Sequence, residues 1–376
     1  MVGGSNPSCP ANNMKRALSD IYGRLPAPFQ QMVDQFRGHG VREFKKSIYE
    51  GLIPASSAAV LCTCGQHESF RVKNMPTSRK VVFVWDPLRG ISGSTLMRVQ
   101  QSAERVRSVF PDLEVYLGPI QSREVLNLND SILVLSKSVL LDDHACQKLR
   151  KNSNILLADY VDGFHVASSD ELVDGFICAS FVENSWTKLN YSKPSFLVPH
   201  AVDTRINAMV SSRFKDSRFN CGYFGHPENG LLVQTLTEQG KINSKFDSIV
   251  ANESESSPIW MTEALKASAH YIARPVGENS SNQFKPFTKG FLAAHCDAIA
   301  IGGRFEEENL HWLGEDYPFL IKEQTYEAAV IAIDQCHEAW SGGDITHARQ
   351  IALKNRQISC PIANAKDYER AISHFS

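Results

Sequence analysis

Long apolar runs are missing from this 376-residue chain, and so is a marked excess of charge of one sign. No apolar run approaches the roughly 20 residues that a membrane-spanning helix needs. The polar start, from Gly3 to Asn6, lacks the charged and apolar regions of a secretory signal. A net charge of −2 argues against a broad electrostatic surface for nucleic acid. We therefore expect a cytoplasmic protein that does not bind nucleic acid.

Patterned cysteines and metal-binding motifs are also scarce. The nine cysteines are scattered, and most lie inside apolar segments, which suits reduced core thiols better than a disulfide framework. Cys62, Cys64 and His67 resemble half of a metal site, but no second pair of ligands follows at zinc-finger spacing. No D-x-D motif ends a predicted strand. We expect neither a bound metal nor a cofactor.

Residues 1–78 differ in character from the rest of the chain. Apolar residues recur with helical spacing between Phe29 and Phe36, and a Ser/Ala/Cys-rich connector follows. The pattern predicts an appended region that is partly helical or flexible. Its basic cluster has two interpretations, contact with the inner face of an anionic membrane or a solvated helix face; the cluster comprises Arg37, Arg42, Lys45 and Lys46.

Residues 79–210 alternate between apolar runs and helical patterns. The run Val81–Trp85 ends at a Gly/Ser loop, and a helix is predicted to begin near Leu96. Strand, glycine loop and helix form the opening unit of a doubly wound sheet. Five further apolar runs repeat the βαβ rhythm of a parallel sheet: 113–117, 131–135, 154–158, 175–179 and 196–199.

A second unit of the same kind is predicted over residues 211–376. A polar and basic stretch from Ser211 to Arg218 is interpreted as the linker, and the strand after Phe219 ends in a glycine turn. Further strands and closing helices after Gln324 complete the unit. The predicted fold is therefore α/β, with two tandem Rossmann-like domains and an N-terminal helical extension. Ligands of such sheets bind at the carboxyl ends of the strands.

The stretch Gln283–Ile301 reads as a loop with two lysines, a short helix of small residues and a buried strand. This arrangement holds a diphosphate at a helix start in nucleotide-binding α/β domains. Lys285 and Lys289 are four positions apart, so on a helical turn both amines would share one face; ordinary surface lysines are the alternative. The residues expected at this donor site are Tyr223, Gly225, Arg274, Lys285, Thr288, Lys289 and Glu307.

Arg274 is expected to make a bidentate phosphate contact. Glu307 belongs to an acidic run that either accepts hydrogen bonds from ribose hydroxyls or is a solvated loop.

Two further groups of polar residues follow strands of the first domain. The loop after Trp85 is expected to contact an acceptor, or else is a connecting turn; its candidate residues are Asp86, Arg89, Ser92, Gly93, Ser94 and Arg98. The segment after Ala158 supplies two candidate general bases, Asp162 and His165, with Asp159 as an orienting partner. A helix cap is the alternative for an Asp at a strand end.

Several motifs, in this order, resemble the GT-B glycosyltransferases, and the group-one family in particular. Asp174–Ser180 and Phe196–Asp203 are similar to the last strands of the first domain of that fold. Gly222–Gly225 resembles the opening of the second domain, and His295–Ile301 stands where the family has an "A-C-G-T-P-V-I" run. The resemblance covers about residues 80–335. It implies a glycosyltransferase that takes a nucleotide sugar as donor.

The chain departs from that family at the donor segment. Retaining members carry a pair of glutamates there, and Phe284 and Leu292 stand at those positions. His200 and Ala201 replace the usual Asn and Gly. The chain is therefore a variant, and whether the reaction retains or inverts configuration stays open.

The resemblance implies transfer of a hexosyl or related sugar to a glycan, lipid-linked or small-molecule acceptor, without a metal, as in polysaccharide biosynthesis. Preorganised cations would stabilise the charge that develops on the leaving diphosphate. Two alternatives remain from the sequence, a nucleotide-sugar epimerase or hydrolase of GT-B type and a non-catalytic sugar-nucleotide-binding scaffold.

Overall fold

The computed structural model describes residues 53–54, 79–89, 93–209, 218–243, 246–249, 259–277 and 283–375. The predictions for the N-terminal extension, for the Cys62/Cys64/His67 group and for most of the linker therefore lie outside the described residues. So does Ser92 of the predicted acceptor loop. The described residues belong to one unit, Gly51–Ser376, that contains two sheets.

The first sheet has seven strands, and all its neighbouring pairs are parallel except the one that the first strand makes. Val81–Trp85 and Ile132–Ser136 are buried along their whole length, as continuous apolar runs predict for strands covered on both faces. The strands are β1 Ile53–Pro54, β2 Val81–Trp85, β3 Val115–Pro119, β4 Ile132–Ser136, β5 Ile155–Asp159, β6 Gly175–Cys178 and β7 Ser195–Leu197.

Helices connect these strands, and side chains at their first turns fix where they begin. Ser122 accepts a hydrogen bond from the Val125 N–H at 3.1 Å, and Asp142 accepts one from the Ala145 N–H at 3.1 Å. A π-helical segment, Thr95–Gln100, leads into the first α-helix. The α-helices are α1 Gln101–Val109, α2 Arg123–Leu126, α3 Lys137–Leu140, α4 Asp143–Arg150, α5 Ala167–Leu172, α6 Phe181–Asn190 and α7 Thr204–Met209.

The second sheet has five strands, and all its neighbouring pairs are parallel. Its strands are β8 Cys221–Phe224, β9 Phe246–Ile249, β10 Ala269–Tyr271, β11 Ile299–Gly303 and β12 Leu320–Ile321. The helices of this part of the chain are α8 Val233–Asn243, α9 Ile259–Lys266, α10 Thr288–His295, α11 Glu307–Leu313, α12 Tyr326–Gly342, α13 Thr346–Ile358 and α14 Pro361–Ser373.

Strand order places a switch point in each sheet. The first sheet runs β1-β3-β2-β4-β5-β6-β7 and the second runs β12-β11-β10-β8-β9. In the first sheet β3 lies on one side of β2 and β4 lies on the other side. In the second sheet β9 lies on one side of β8 and β10 lies on the other side. The crevices for ligands therefore lie at the carboxyl ends of β2 and β4, and of β8 and β10.

The last helix, α14, follows the second sheet in the sequence but packs against α1 beside the first sheet. Its Tyr368 ring lies 5.3 Å from the Phe83 ring of β2, and Asn364 donates a hydrogen bond to the Pro199 carbonyl at 2.8 Å. The closing helices that the sequence assigned to the second domain are thus divided between the two halves. Among the described helices, none has both the length and the apolar character to cross a membrane.

Candidate functional site

The loop after β2 is held in place by its own first residue. The Asp86 N–H donates to Ser138 Oγ at 3.1 Å, and Gln121 Nε2 donates to Asp86 Oδ1 at 2.5 Å. Arg89 Nε lies 3.4 Å from Asp86 Oδ2. Gly93 and Ser94 lie in the helical turn that precedes Thr95–Gln100. Asp86 and Arg89 therefore contact each other after β2, and Gly93 and Ser94 lie at the start of the helical segment that follows.

Arg98, also predicted to contact an acceptor, forms a buried ion pair with Asp159. Both side chains are 2% exposed, and Arg98 Nε donates to Asp159 Oδ2 at 2.9 Å. Tyr368 of α14 adds a hydrogen bond to the same oxygen at 3.2 Å. Burial lowers the pKa of Arg98, but the Asp159 carboxylate outweighs it, so the pKa is raised and the guanidinium stays charged. In this geometry the pair braces the core, and neither side chain is open to solvent.

His165, one of the two candidate bases, is enclosed rather than open to a substrate. Its side chain is 4% exposed, with Nδ1 3.3 Å from Asp170 Oδ2 and Nε2 3.5 Å from Glu183 Oε1. Burial lowers the pKa of His165, but the two carboxylates outweigh it and raise the pKa to about 9. An imidazolium has no lone pair for a proton, so this geometry argues against His165 as a general base.

Asp162, the other candidate base, lies between two lysines. Lys137 Nζ donates to Asp162 Oδ1 at 2.6 Å, and Lys285 Nζ donates to Asp162 Oδ2. Lys137 begins α3 directly after β4, whereas Lys285 comes from the predicted donor loop. Burial alone would raise the pKa of Asp162, but the two ammonium groups outweigh it and lower the pKa to about 2.

The backbone before Asp162 is strained. Val161 has a φ of 65°, which a β-branched residue rarely adopts. The Asp162 N–H donates to the Tyr160 carbonyl at 2.7 Å, which closes a tight γ-turn around Val161. Backbone strain of this kind persists only where the surroundings impose it, and it clusters at functional sites. The turn presents Asp162 to both lysines.

Arg274 holds the donor loop in shape. Its Nη1 donates to the Lys285 carbonyl at 2.9 Å and its Nη2 to the Pro286 carbonyl at 2.5 Å. Glu306 Oε1 accepts the Arg274 backbone N–H at 2.9 Å, and burial raises the pKa of Glu306 to about 7. The sequence predicted that Arg274 would grip a phosphate. The structure instead places its guanidinium on loop carbonyls, so Arg274 positions Lys285.

Phe284, next to Lys285, anchors the same loop on the first half of the protein. Its ring centroid lies 5.3 Å from Trp186 and 6.0 Å from His165. Phe284 stands where the resembled family has an acidic residue. Here Phe284 is 5% exposed and packs against the rings of Trp186 and His165 instead. The adjacent residues Phe284 and Lys285 thus both contact side chains of the first half.

Lys289 lies at the switch point of the second sheet. Its Nζ is 4.9 Å from the centroid of the buried Tyr223 ring. Gly225, which directly follows β8 and has a φ of 148°, approaches so closely that an added Cβ would lie 3.1 Å from Lys289 Cε. Thr288 is the first residue of α10, and the N-cap residue, Phe287, has no side-chain acceptor for the N–H groups of the first turn. The helix start, with its partial positive charge, therefore adds to the charge of Lys289.

The expectation that both lysines share a helix face is wrong, because α10 begins only at Thr288. Lys285 precedes that start and its amine contacts Asp162, whereas the amine of Lys289 lies over Tyr223.

The acidic run after β11 separates into buried and exposed residues. Glu307 is exposed in the first turn of α11. Glu308 is buried, accepts a hydrogen bond from Trp312 Nε1 at 2.7 Å, and accepts another from the Val182 N–H of α6 at 3.2 Å. Burial raises the pKa of Glu308 to about 7. Of the three glutamates of this run, only Glu307 is therefore open to a ligand in this structure.

Two residues near the site were not among the sequence candidates. Lys137 directly follows the apolar run of β4, a position at the carboxyl edge that a search for polar residues after strands would have found. His200 follows β7 and is buried, and within the described part of the chain its Nδ1 has no hydrogen-bond partner. Burial lowers the pKa of His200 well below its ordinary value, so the ring is neutral. Nothing in the sequence identified His200 as a site residue except that it replaces the Asn usual in the resembled family.

No protein-family model and no curated protein matches the sequence. Solved structures do match. A glycosyltransferase from Rickettsia africae is 8% identical with a TM-score of 0.51, and the match covers 80% of this chain and 100% of that one. A mutant of TarM from S. aureus, in complex with fondaparinux, α-GlcNAc-glycerol and UDP, is 9% identical with a TM-score of 0.43 over 66% of this chain. This chain spans only 55% of TarM.

A UDP-GlcNAc 2-epimerase from Methanocaldococcus jannaschii is 10% identical with a TM-score of 0.42, over 79% of this chain and 99% of that one. The fold is assigned on the Rickettsia africae structure together with the two parallel sheets. This chain has a GT-B-like fold. The predicted α/β architecture of two Rossmann-like halves is confirmed.

Proposed function

We propose that this protein is a glycosyltransferase that moves a sugar from a nucleotide-sugar donor to a glycan, lipid-linked or small-molecule acceptor. The observation that carries the proposal is the cationic start of α10. Lys289 and the first-turn N–H groups lie beside Gly225 at the carboxyl end of β8, and Lys285 precedes them in the same segment. A helix start with cations at a switch point suits the diphosphate of a nucleotide.

The same groups suit the leaving group of glycosyl transfer. When the bond between the anomeric carbon and the diphosphate oxygen breaks, negative charge develops on the diphosphate. Preorganised N–H groups and ammonium groups stabilise that charge more than they stabilise the intact donor. We propose that these lysines supply the charge that a divalent cation supplies elsewhere. The exposed Glu307 is proposed to accept hydrogen bonds from the ribose hydroxyls.

The acceptor is proposed to bind at the switch point of the first sheet, at Asp86 and Arg89 and the helix start formed by Gly93 and Ser94. Among the three catalytic candidates, Asp162 suits a general base best because its side chain is 19% exposed and open to an acceptor, whereas those of Asp159 and His165 are only 2% and 4% exposed.

A thermal-shift screen tests this function. Wild type and the Lys285→Ala/Lys289→Ala variant would be melted with nucleoside diphosphates and nucleotide sugars, with Lys266→Ala as a control for an ion-paired lysine elsewhere. A ligand present at 100 times its Kd adds about 2.7 kcal/mol of stability, a rise of several degrees in Tm. We expect one nucleotide to shift wild type and Lys266→Ala but not the double variant.

Turnover distinguishes the enzyme classes. Release of the nucleoside diphosphate that requires an acceptor supports the transferase, whereas release without one indicates a hydrolase. Interconversion of donor sugars indicates an epimerase, and binding without any turnover indicates a scaffold. No shift with any nucleotide would overturn the donor site.

A further inference from the structure

The Asp162 carboxylate lies between two lysines, one from each half of the protein. Lys137 contacts one carboxylate oxygen at 2.6 Å and Lys285 contacts the other. The side chains are 37%, 19% and 27% exposed for Lys137, Asp162 and Lys285, so solvent and a ligand can reach the cluster. This ion triad is therefore a partly open anion site that the protein fills with its own carboxylate.

A phosphate group is a direct competitor for such a site. It offers oxygen acceptors with more negative charge than a carboxylate, and an ammonium group binds either one as a point charge. The Lys285 backbone is fixed because Arg274 donates to its carbonyl, but its four-carbon side chain can rotate. Lys285 can therefore exchange one anion for another without movement of the loop.

We propose that Asp162 is an internal competitor of the donor: it binds Lys285 in the free protein, and the arriving diphosphate takes Lys285 over and leaves Asp162 with Lys137. This inference rests on the proposed function and deepens it. It assigns to Lys137 the role of holding Asp162 in position after the exchange.

The exchange would make the base available only when the donor is bound. Burial raises the pKa of Asp162 and two lysines lower it, so losing Lys285 restores basicity. The acceptor hydroxyl then gives its proton to Asp162 Oδ2, and its oxygen bonds to the anomeric carbon. The bond from that carbon to the diphosphate oxygen breaks, and the electron pair leaves with the diphosphate.

Calorimetric titration of nucleoside diphosphates and inorganic pyrophosphate into Asp162→Asn tests the inference. Without the competitor, both ligands are expected to bind about twofold to sixfold tighter than in wild type, the range that a partly exposed ion pair allows. The gain should vanish in Asp162→Asn/Lys285→Ala. Asp174→Asn is the matched control, because Asp174 is also 19% exposed and ion-paired, with Arg150, but precedes β6 at the opposite edge of the sheet.

The outcomes separate this inference from the proposed function. Nucleotide binding that is equal or weaker in Asp162→Asn overturns the inference and leaves the function standing. Tighter pyrophosphate binding without preference for any nucleotide supports the inference and overturns the nucleotide-sugar function. No binding to any variant overturns both. If Asp162→Asn does not fold, Asp162→Ser removes the same carboxylate and is judged by the same outcomes.

Discussion

The charge on His165 gives the sharpest test of the electrostatics of this protein. Asp170 and Glu183 approach the two ring nitrogens and raise the pKa of His165 to about 9 against a burial effect that lowers it. In the unfolded chain the pKa is expected near 6.5. The folded protein therefore holds a proton that the unfolded chain has already released, and stability must fall as the pH rises between those two values.

The size of the effect follows from the two pKa values. A difference of roughly 2.5 units corresponds to about 3 kcal/mol, fully present below pH ~6.5 and lost as the pH passes ~9. Between pH ~7.5 and ~8.5 the expected loss is about 1 kcal/mol. The buried Glu183, Glu306 and Glu308 each have a pKa raised to about 7, so the fall in stability that they cause lies mainly below this window. Buried cysteines such as Cys336, whose pKa is raised to about 12, add a loss inside the window, because the unfolded thiol begins to ionise there. Comparison with a variant that lacks the His165 charge therefore isolates His165.

Two measurements check this prediction. An NMR titration of the histidine ring resonances, with His165 assigned by its loss in His165→Gln, should give a pKa near 9. Chemical denaturation at pH ~7.5 and ~8.5 should show a loss of at least about 1 kcal/mol in wild type. The variant His165→Gln/Glu183→Gln is the control, because it removes both titrating members of the pair and should show a smaller loss.

A pKa for His165 of about 7 or below would show that Asp170 and Glu183 do not keep the ring protonated. So would an equal loss of stability in wild type and the double variant. Either result would return His165 to consideration as a general base.

Three further perturbations follow from the geometry. Arg274→Lys keeps the charge but cannot reproduce both hydrogen bonds to the loop carbonyls, so we expect nucleoside diphosphate affinity to fall about tenfold in calorimetry. Unchanged affinity would show that the position of Lys285 does not depend on the Arg274 guanidinium. Asp159→Asn breaks a buried ion pair and should lower the free energy of unfolding by about 3–5 kcal/mol in denaturant titrations. A loss below about 1 kcal/mol would show that the pair of Arg98 and Asp159 does not stabilise the core. Gly225→Val meets a φ of 148° and crowds Lys289, so Tm and nucleotide affinity should both fall; Gly342→Ala, where a Cβ meets no described atom within 4 Å, should retain nucleotide affinity, and equal effects would refute the close approach.

The sequence predicted the two sheets because their central strands, such as β2 and β4, are buried along their whole length and carry continuous apolar runs. Val81–Trp85 has the predicted bounds, and the other predicted strands lie within a few residues of theirs, whereas β1 and β12 were not predicted. The start of α10 was harder to predict, because its N-cap is Phe287 rather than a residue that marks a helix start. For that reason the prediction that Lys285 and Lys289 share one face of a helix was wrong.

The contacts at the site could not be predicted from one sequence. The partners of Asp162 are separated from it by 25 residues for Lys137 and 123 for Lys285, and no local pattern encodes such pairs. The same holds for Phe284, whose place among Trp186 and His165 depends on how the halves pack. Polar residues after strands could be named as candidates, but which of them are enclosed is decided by tertiary structure.

The most direct test of the central claim is a transfer assay read by mass spectrometry. The nucleotide sugar that stabilises wild type would be incubated with an array of glycan, lipid-linked and small-molecule acceptors. We expect equal amounts of nucleoside diphosphate and of an acceptor heavier by one sugar, with both lost in Lys285→Ala/Lys289→Ala. An intact donor with every acceptor, or equal turnover in that variant, would contradict this expectation.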